Sequence, residues 1–99
     1  MVTVGLLATL KAKPGKEETL AEFLRGALPL AQAEQDTTAW FAIQLDESTF
    51  GIFDVFPDQA GRQTHLDGPI AAALMGKADE LLSSPPEIKP IDILAAKLA

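Results

Sequence analysis

The sequence predicts a small α+β domain with an antiparallel sheet and the element order βαββαβ, the split-βαβ or ferredoxin-like arrangement. Three patterns predict it: an alternating apolar segment at the start, two β-rich segments around a short turn in the middle, and helical patterns between the strands. A chain of 99 residues has room for one domain, which we take to span residues 1–99.

The first half begins with a strand and a long helix. Residues 2–12 alternate apolar and polar side chains, which is typical of a strand, and a Pro-Gly turn follows at residues 14–15. Residues 16–35 have the helical spacing, with an apolar stripe at Leu20, Phe23, Leu24, Ala27, Leu28 and Ala31. Because Pro29 falls inside this pattern, we expect a kink or a break near Arg25–Gly26.

The middle of the chain predicts a β-hairpin. Residues 37–45 are rich in β-branched and aromatic side chains, and residues 50–56 form a second such run. The turn residues Asp-Glu-Ser at 46–48 separate them, so the two strands should pair directly.

Two helices and a last strand complete the order. Helices are predicted over residues 58–65 and 69–82, the first capped by Asp58. Residues 88–98 read as the last strand, and Pro90 predicts that this strand lies at an edge or starts at a bulge.

Composition excludes several classes of partner. The net charge is −6 and the basic residues are scattered, which argues against nucleic acid and against an anionic membrane surface. There is no cysteine and only one histidine, so we expect no disulfide and no metal site of the usual zinc type. The apolar N-terminal segment is too short to span a membrane and lacks a basic start, so we expect a cytoplasmic protein.

The apolar content predicts a homodimer. The first and third strands are apolar on both faces, whereas the helices of a two-layer fold cover only one face of the sheet. A symmetric dimer that joins the two uncovered sheet faces would bury the apolar side chains on them.

His65 is the first candidate for a functional residue. It is the only side chain whose unperturbed pKa lies near neutrality, and it follows the third strand on a short helix. It is a candidate general base, and the alternative is a histidine that bonds a backbone carbonyl. A histidine on a helix beside a pocket adds little to packing, so its replacement by alanine should leave the fold intact.

Asp54 and Trp40 are the next candidates. A carboxylate inside an apolar strand must face solvent, pair with a base such as Arg62 or Lys11, or serve a pocket, and an ion pair is the favoured interpretation. Trp40 has small neighbours that leave room for a flat ligand, or it anchors the core or an interface. Arg62 stands four residues after Asp58, the spacing of a surface ion pair.

The chain resembles the antibiotic biosynthesis monooxygenase family. The resemblance rests on the element order, on the Pro-Gly-Lys-Glu-Glu entry to the first helix at 14–18, and on the segment from the third strand to His65. It implies a dimeric α+β barrel. It also implies a relation to quinol and anthrone monooxygenases, which use no metal or flavin, so no cofactor is expected.

Individual positions carry the resemblance. Asp54 and Phe56 stand where members have an acid and, two residues on, an aromatic, more usually Glu and Trp. His65 matches the histidine of the short helix, and the following Gly-Pro also matches. Ile70 stands where many members have a second histidine, and Met75 stands about where the heme-degrading branch has its heme ligand, which argues against heme cleavage.

The resulting hypothesis is a cofactor-independent monooxygenase of small aromatic or quinol-type molecules. His65 would be its base, and the residues expected to contact the substrate are Trp40, Phe53, Asp54, Phe56 and Arg62. The alternative is a non-catalytic dimeric module that binds a small apolar molecule. An isomerase of a small polar metabolite needs more polar pocket residues than this sequence offers.

Overall fold

The computed structural model describes residues 1–98, which form four strands and four helices. In chain order these are β1 (Val4–Lys11), α1 (Glu17–Gly26), α2 (Leu28–Gln32), β2 (Ala39–Gln44), β3 (Thr49–Phe56), α3 (Gln59–Leu66), α4 (Pro69–Leu81) and β4 (Glu87–Asp92). The strands form one sheet in the order β2-β3-β1-β4, with every neighbouring pair antiparallel. The predicted ferredoxin-like α+β fold is confirmed.

The register determines which side chains meet the helices. Strand β3 lies between β1 and β2. Its residue Asp54 is paired with Leu6 of β1 on one side and with Trp40 of β2 on the other. The even-numbered residues of the two central strands therefore share the helix-covered face. The core there includes Leu10, Leu20, Leu24, Phe50, Ile52, Leu74 and Leu81.

The helix boundaries follow the local signals. The predicted break in the first helical pattern is confirmed, because α1 ends at Gly26 and a separate short helix, α2, has Pro29 in its first turn. Helix α3 is capped as predicted: the side chain of Asp58 accepts a hydrogen bond of 2.9 Å from the backbone N–H of Gly61. Helix α4 also begins with a proline, Pro69.

The last strand is shorter than predicted. β4 ends at Asp92, whereas the sequence pattern extended it to Leu98. β4 pairs only with β1, and Asp92 lies opposite Val4, where β1 begins. The backbone pairing continues only to Ile93, whose N–H donates a hydrogen bond of 2.9 Å to the carbonyl of Thr3, and Leu94 is 97% exposed. β4 is an edge strand, which agrees with the position expected for Pro90.

The face of the sheet away from the helices is apolar and partly exposed. Phe41 of β2 and Phe53 of β3 stack there with ring centroids 6.2 Å apart, and Phe41 is 52% exposed. Leu7 and Ile43 are also exposed on this face. We call Leu7, Phe41, Ile43 and Phe53 the open-face patch. No helix in the described part of the chain is long and apolar enough to cross a membrane.

Candidate active site

A buried histidine between two carboxylates forms the candidate site. The His65 side chain is 7% exposed. Its Nδ1 atom lies 2.7 Å from Oε1 of Glu34, and its Nε2 atom lies 3.0 Å from Oδ2 of Asp54. The imidazole therefore bridges two acids that come from different parts of the chain.

Three elements bring these side chains together. Asp54 lies on the helix-facing side of β3, and His65 lies on the side of α3 that packs on the sheet. Glu34 follows α2 in the connection to β2, where Thr37 Oγ1 donates a hydrogen bond of 2.7 Å to Glu34 Oε1. Gly61 lets α3 pack closely against that connection, since a Cβ atom there would lie 3.2 Å from the Cβ of Asp36.

The two acids control the charge of the imidazole. Burial lowers the pKa of His65, but the adjacent carboxylates of Asp54 and Glu34 outweigh that effect and raise the pKa above its ordinary value. The geometry favours the doubly protonated ring, because each nitrogen faces an oxygen that can only accept a hydrogen bond when ionised.

Asp54 is buried more completely than its partners. Its side chain is 1% exposed, and within residues 1–98 neither carboxylate oxygen receives a well-aligned hydrogen bond. The contact with His65 is within ion-pair distance but lacks that alignment. Buried carboxylates are normally saturated with donors, so Asp54 retains unused capacity to accept a hydrogen bond.

A small apolar cavity adjoins His65 and Asp54. Its volume is about 40 Å³, and its walls come from β1, β3, α3, α4 and β4, with Leu6, Ala8, Ile52, Ile70, Leu74, Met75 and Ile88 among the lining residues. Met75 is 59% exposed and Ile88 is 39% exposed, so these two side chains border the mouth. The cavity combines apolar walls with one pair of ionisable groups, His65 and Asp54, which is typical of small-molecule sites.

Of the residues proposed from the sequence, the structure brings three together. His65 and Asp54 border the cavity, and the ring of Phe56 packs against His65 with centroids 5.3 Å apart. Phe53 instead lies on the opposite face of the sheet, in the open-face patch. Trp40 lies on the helix-covered face and borders a separate hollow beside Glu34, where its buried indole N–H has no acceptor within residues 1–98.

Arg62 has a role that spacing alone did not predict. Its guanidinium donates hydrogen bonds of 3.2 Å to the backbone carbonyls of Gly5 and Ile91, and a further one to Gln59. The expected surface pair with Asp58 is wrong, because Asp58 caps the helix instead. Arg62 and Lys11 were also the expected partners of Asp54, but the base found beside Asp54 is His65.

Sequence reasoning missed Glu34. The chain has 14 acidic residues, and nothing local distinguishes this one from its neighbours. Its importance comes from contact with His65, which lies 31 residues later in the chain. Among the described residues, no group of three or more His, Cys, Asp or Glu side chains converges in a way that would hold a metal ion.

Comparison with known proteins shows which family the chain belongs to. No protein-family model and no curated protein matches it. A solved structure of a protein of unknown function from Nitrosomonas europaea is 60% identical, covers 100% of this chain and 96% of its own, and superposes with a TM-score of 0.98. The chain belongs to the family of that protein.

More distant structures show the fold. A provisionally named antibiotic biosynthesis monooxygenase from Caulobacter crescentus is 15% identical with a TM-score of 0.80, over 95% of this chain and 92% of its own. Another protein so named, from Nitrosomonas europaea, is 13% identical with a TM-score of 0.82, over 93% and 90% of the two chains. The resemblance seen in the sequence is thereby confirmed for the fold.

Proposed function

We propose that this protein is a cofactor-independent monooxygenase of a small aromatic or quinol-type substrate. The observation that carries the proposal is the buried His65, held between Glu34 and Asp54 at the wall of an apolar cavity. An ionic group in an apolar site is suited to removing a proton from a bound phenol. The fold shared with proteins named antibiotic biosynthesis monooxygenases supports the same reaction class.

The proposed reaction needs only substrate and dioxygen. A substrate SH₂ reacts with O₂ to give SO and H₂O, so one oxygen atom enters the product and the other leaves as water. All the electrons that reduce O₂ come from the substrate. Deprotonation makes the aromatic ring electron-rich enough to react, and the protein contributes a proton acceptor, charge stabilisation of the oxyanion and exclusion of bulk water.

Substrate entry requires the cavity to widen. A volume of about 40 Å³ holds only one or a few water molecules. Met75 borders the mouth with a flexible and exposed side chain, so we propose that its rotation admits the ring.

The second candidate function is a non-catalytic module that binds a small apolar molecule. The small volume of the cavity favours it, because about 40 Å³ leaves no room for an aromatic substrate unless the walls move. The two functions differ in one respect that can be measured: only the enzyme consumes oxygen in proportion to substrate.

We also propose that the protein acts as a homodimer joined through the open-face patch. The stacked pair Phe41 and Phe53 lies on the uncovered side of the sheet, where a second copy could bury it. Dimerisation would leave the helix-covered face and its cavity free for the substrate.

Oxygen uptake tests the enzymatic proposal. Purified protein is mixed with a panel of quinols and anthrones, and ¹⁸O₂ labelling reports whether one oxygen atom enters the product. Replacement of His65 by Gln should lower the rate by about 10²–10⁴-fold, whereas the surface control Glu80→Gln should keep it. The absence of protein-dependent uptake across the panel, together with saturable binding of the same compounds, would support the binding module instead.

A further inference from the structure

We infer that Asp54, rather than His65, takes the proton of the substrate, and that His65 remains an imidazolium that stabilises the resulting oxyanion. The substrate class that follows is an apolar ring presenting one O–H donor to Asp54. The reaction part of this inference rests on the proposed function, whereas the binding part does not.

The first argument is that the two adjacent carboxylates favour an imidazole that is protonated on both nitrogens. A general base must offer a lone pair to the substrate. Nδ1 of His65 faces Glu34 at 2.7 Å, and Nε2 faces Asp54 at 3.0 Å. Two carboxylate oxygens within 3.0 Å of the two nitrogens favour the cationic ring, which holds a proton on both. A ring protonated on both nitrogens has no lone pair with which to accept the proton of the substrate.

The second argument is that Asp54 still has the capacity to accept a hydrogen bond and a proton. Its side chain borders the cavity, it is 1% exposed, and neither of its oxygens receives an aligned hydrogen bond from residues 1–98. Leaving such a group without a donor is costly, and the O–H of a phenol in the widened cavity would supply one. The apolar walls from Leu6, Ile52 and Leu74 would meet the ring of the same molecule.

The third argument concerns charge. Before transfer, Glu34 and Asp54 are anionic and His65 is cationic. During transfer the O–H bond of the substrate breaks and an O–H bond forms on Asp54, while the electron pair stays on the substrate oxygen. The net charge of the site remains −1, and the negative charge only moves from one neighbour of the imidazolium to another, which avoids building new charge in an apolar place.

Of the charged groups in this part of the structure, Glu34 and Asp54 are the ones that face His65. From the α2–β2 connection Glu34 faces His65, and from β3 Asp54 does. On its own helix, Arg62 is directed to the carbonyls of Gly5 and Ile91, and Asp67 is exposed and accepts from Gln63. The cavity walls contributed by β1, β4 and α4 carry no titratable side chain.

The pH dependence distinguishes the two assignments. If His65 must be cationic, the rate falls as pH rises through its pKa, which the two acids raise. If His65 is the base, it must be neutral, and the rate rises through the same pKa. In the His65→Gln variant the residual rate should lose the falling limb.

Binding without turnover provides an independent test. Under argon, hydroquinone and its near-isosteric analogue p-xylene are titrated into wild-type protein, Asp54→Asn and the exposed control Asp79→Asn. The preference for hydroquinone over p-xylene should fall roughly tenfold in Asp54→Asn, because a charge-assisted hydrogen bond is replaced by a neutral one, and should be unchanged in Asp79→Asn. Since His65 is the only histidine, ¹⁵N NMR of the histidine-labelled protein reads its protonation directly.

The outcomes separate this inference from the proposed function. Two protonated ring nitrogens at pH 7, together with a preference for hydroquinone that depends on Asp54, support the inference even if no oxygen is consumed. The absence of oxygen consumption would exclude only the monooxygenase activity. A neutral His65 tautomer at pH 7, an unchanged preference in folded Asp54→Asn, no binding of hydroquinone, or a rate that rises through the His65 pKa would overturn it. The NMR measurement and the direction of the pH profile are read on wild-type protein, so an unfolded Asp54→Asn leaves the test intact.

Discussion

The Nε2 atom of His65 and the Oδ2 atom of Asp54 lie 3.0 Å apart, where the inner face of α3 meets the centre of β3. Glu34 completes the arrangement from the other side of the ring. This contact places an ion pair in an otherwise apolar cavity wall, and it links the stability of the fold to the charge of one imidazole.

Replacing His65 by Ala should destabilise the fold, contrary to the expectation from sequence. The substitution leaves Asp54 and Glu34 without their cationic partner, and Asp54 is buried. Removing one partner of a buried pair costs about 3–5 kcal/mol. Urea denaturation followed by circular dichroism measures the loss. A midpoint equal to that of wild type would show that the pair contributes nothing to stability.

The stability of the protein should fall as pH rises past neutrality. Because the folded-state pKa of His65 is raised, its contribution is fully present below the unfolded pKa of about 6.5 and is lost as pH rises through the folded pKa. The slope contributed by this one group is at most about 1.4 kcal/mol per pH unit. Urea midpoints between pH 5 and 9 test it, and the His65→Gln variant should lack this component of the slope.

Glu34→Gln should lower the pKa of His65 relative to wild type. The change removes a carboxylate that lies 2.7 Å from Nδ1 but keeps a side chain of the same shape. Titration of the single histidine by NMR gives the pKa directly. Glu80→Gln, on the exposed face of α4, is the matched control and should leave the pKa unchanged. An equal pKa in both variants would mean that Glu34 does not influence the imidazole.

Phe41→Asp should convert the proposed dimer into a monomer. Phe41 is 52% exposed and stacks on Phe53 in the open-face patch, so a charge there would be buried in the proposed interface. Light scattering at micromolar concentration reads the mass. Leu28→Asp serves as the control, since Leu28 is 45% exposed but lies on a helix, and its variant should stay dimeric. A monomeric wild-type protein would refute the dimer itself.

Gly5→Ala should destabilise the protein, whereas Gly76→Ala should stabilise it. A Cβ at Gly5 would lie 2.6 Å from the backbone oxygen of Asp54, which cannot move without shifting β3 and the site. The cost of such overpacking is about 1–3 kcal/mol. Gly76 lies inside α4 with no atom within 4 Å of a built Cβ, so alanine should add about 0.5–1 kcal/mol of stability. Thermal unfolding of the two variants measures both signs.

The sequence was sufficient to predict the element order, the break before Pro29 and the cap at Asp58. It also showed that β3 carries apolar side chains on both faces. Each depends on side chains a few residues apart, and local spacing carries that information. The same patterns singled out His65 and Asp54 as unusual residues, because one titrates near neutrality and the other interrupts an apolar strand. The end of β4 was not readable, since a strand ends where its partner does, and that partner lies about 90 residues earlier at Val4.

Only the tertiary structure decided which face of β3 meets the helices and which base Asp54 meets. Strand parity sorts residues into two faces but does not say which face is covered. Glu34, His65 and Asp54 are distant in sequence and become neighbours because α3 packs over β3 beside the end of α2. Arg62, which has the charge to pair with Asp54, is instead held by the carbonyls of Gly5 and Ile91. The choice between two available cations was made by packing geometry, and charge and spacing do not encode it.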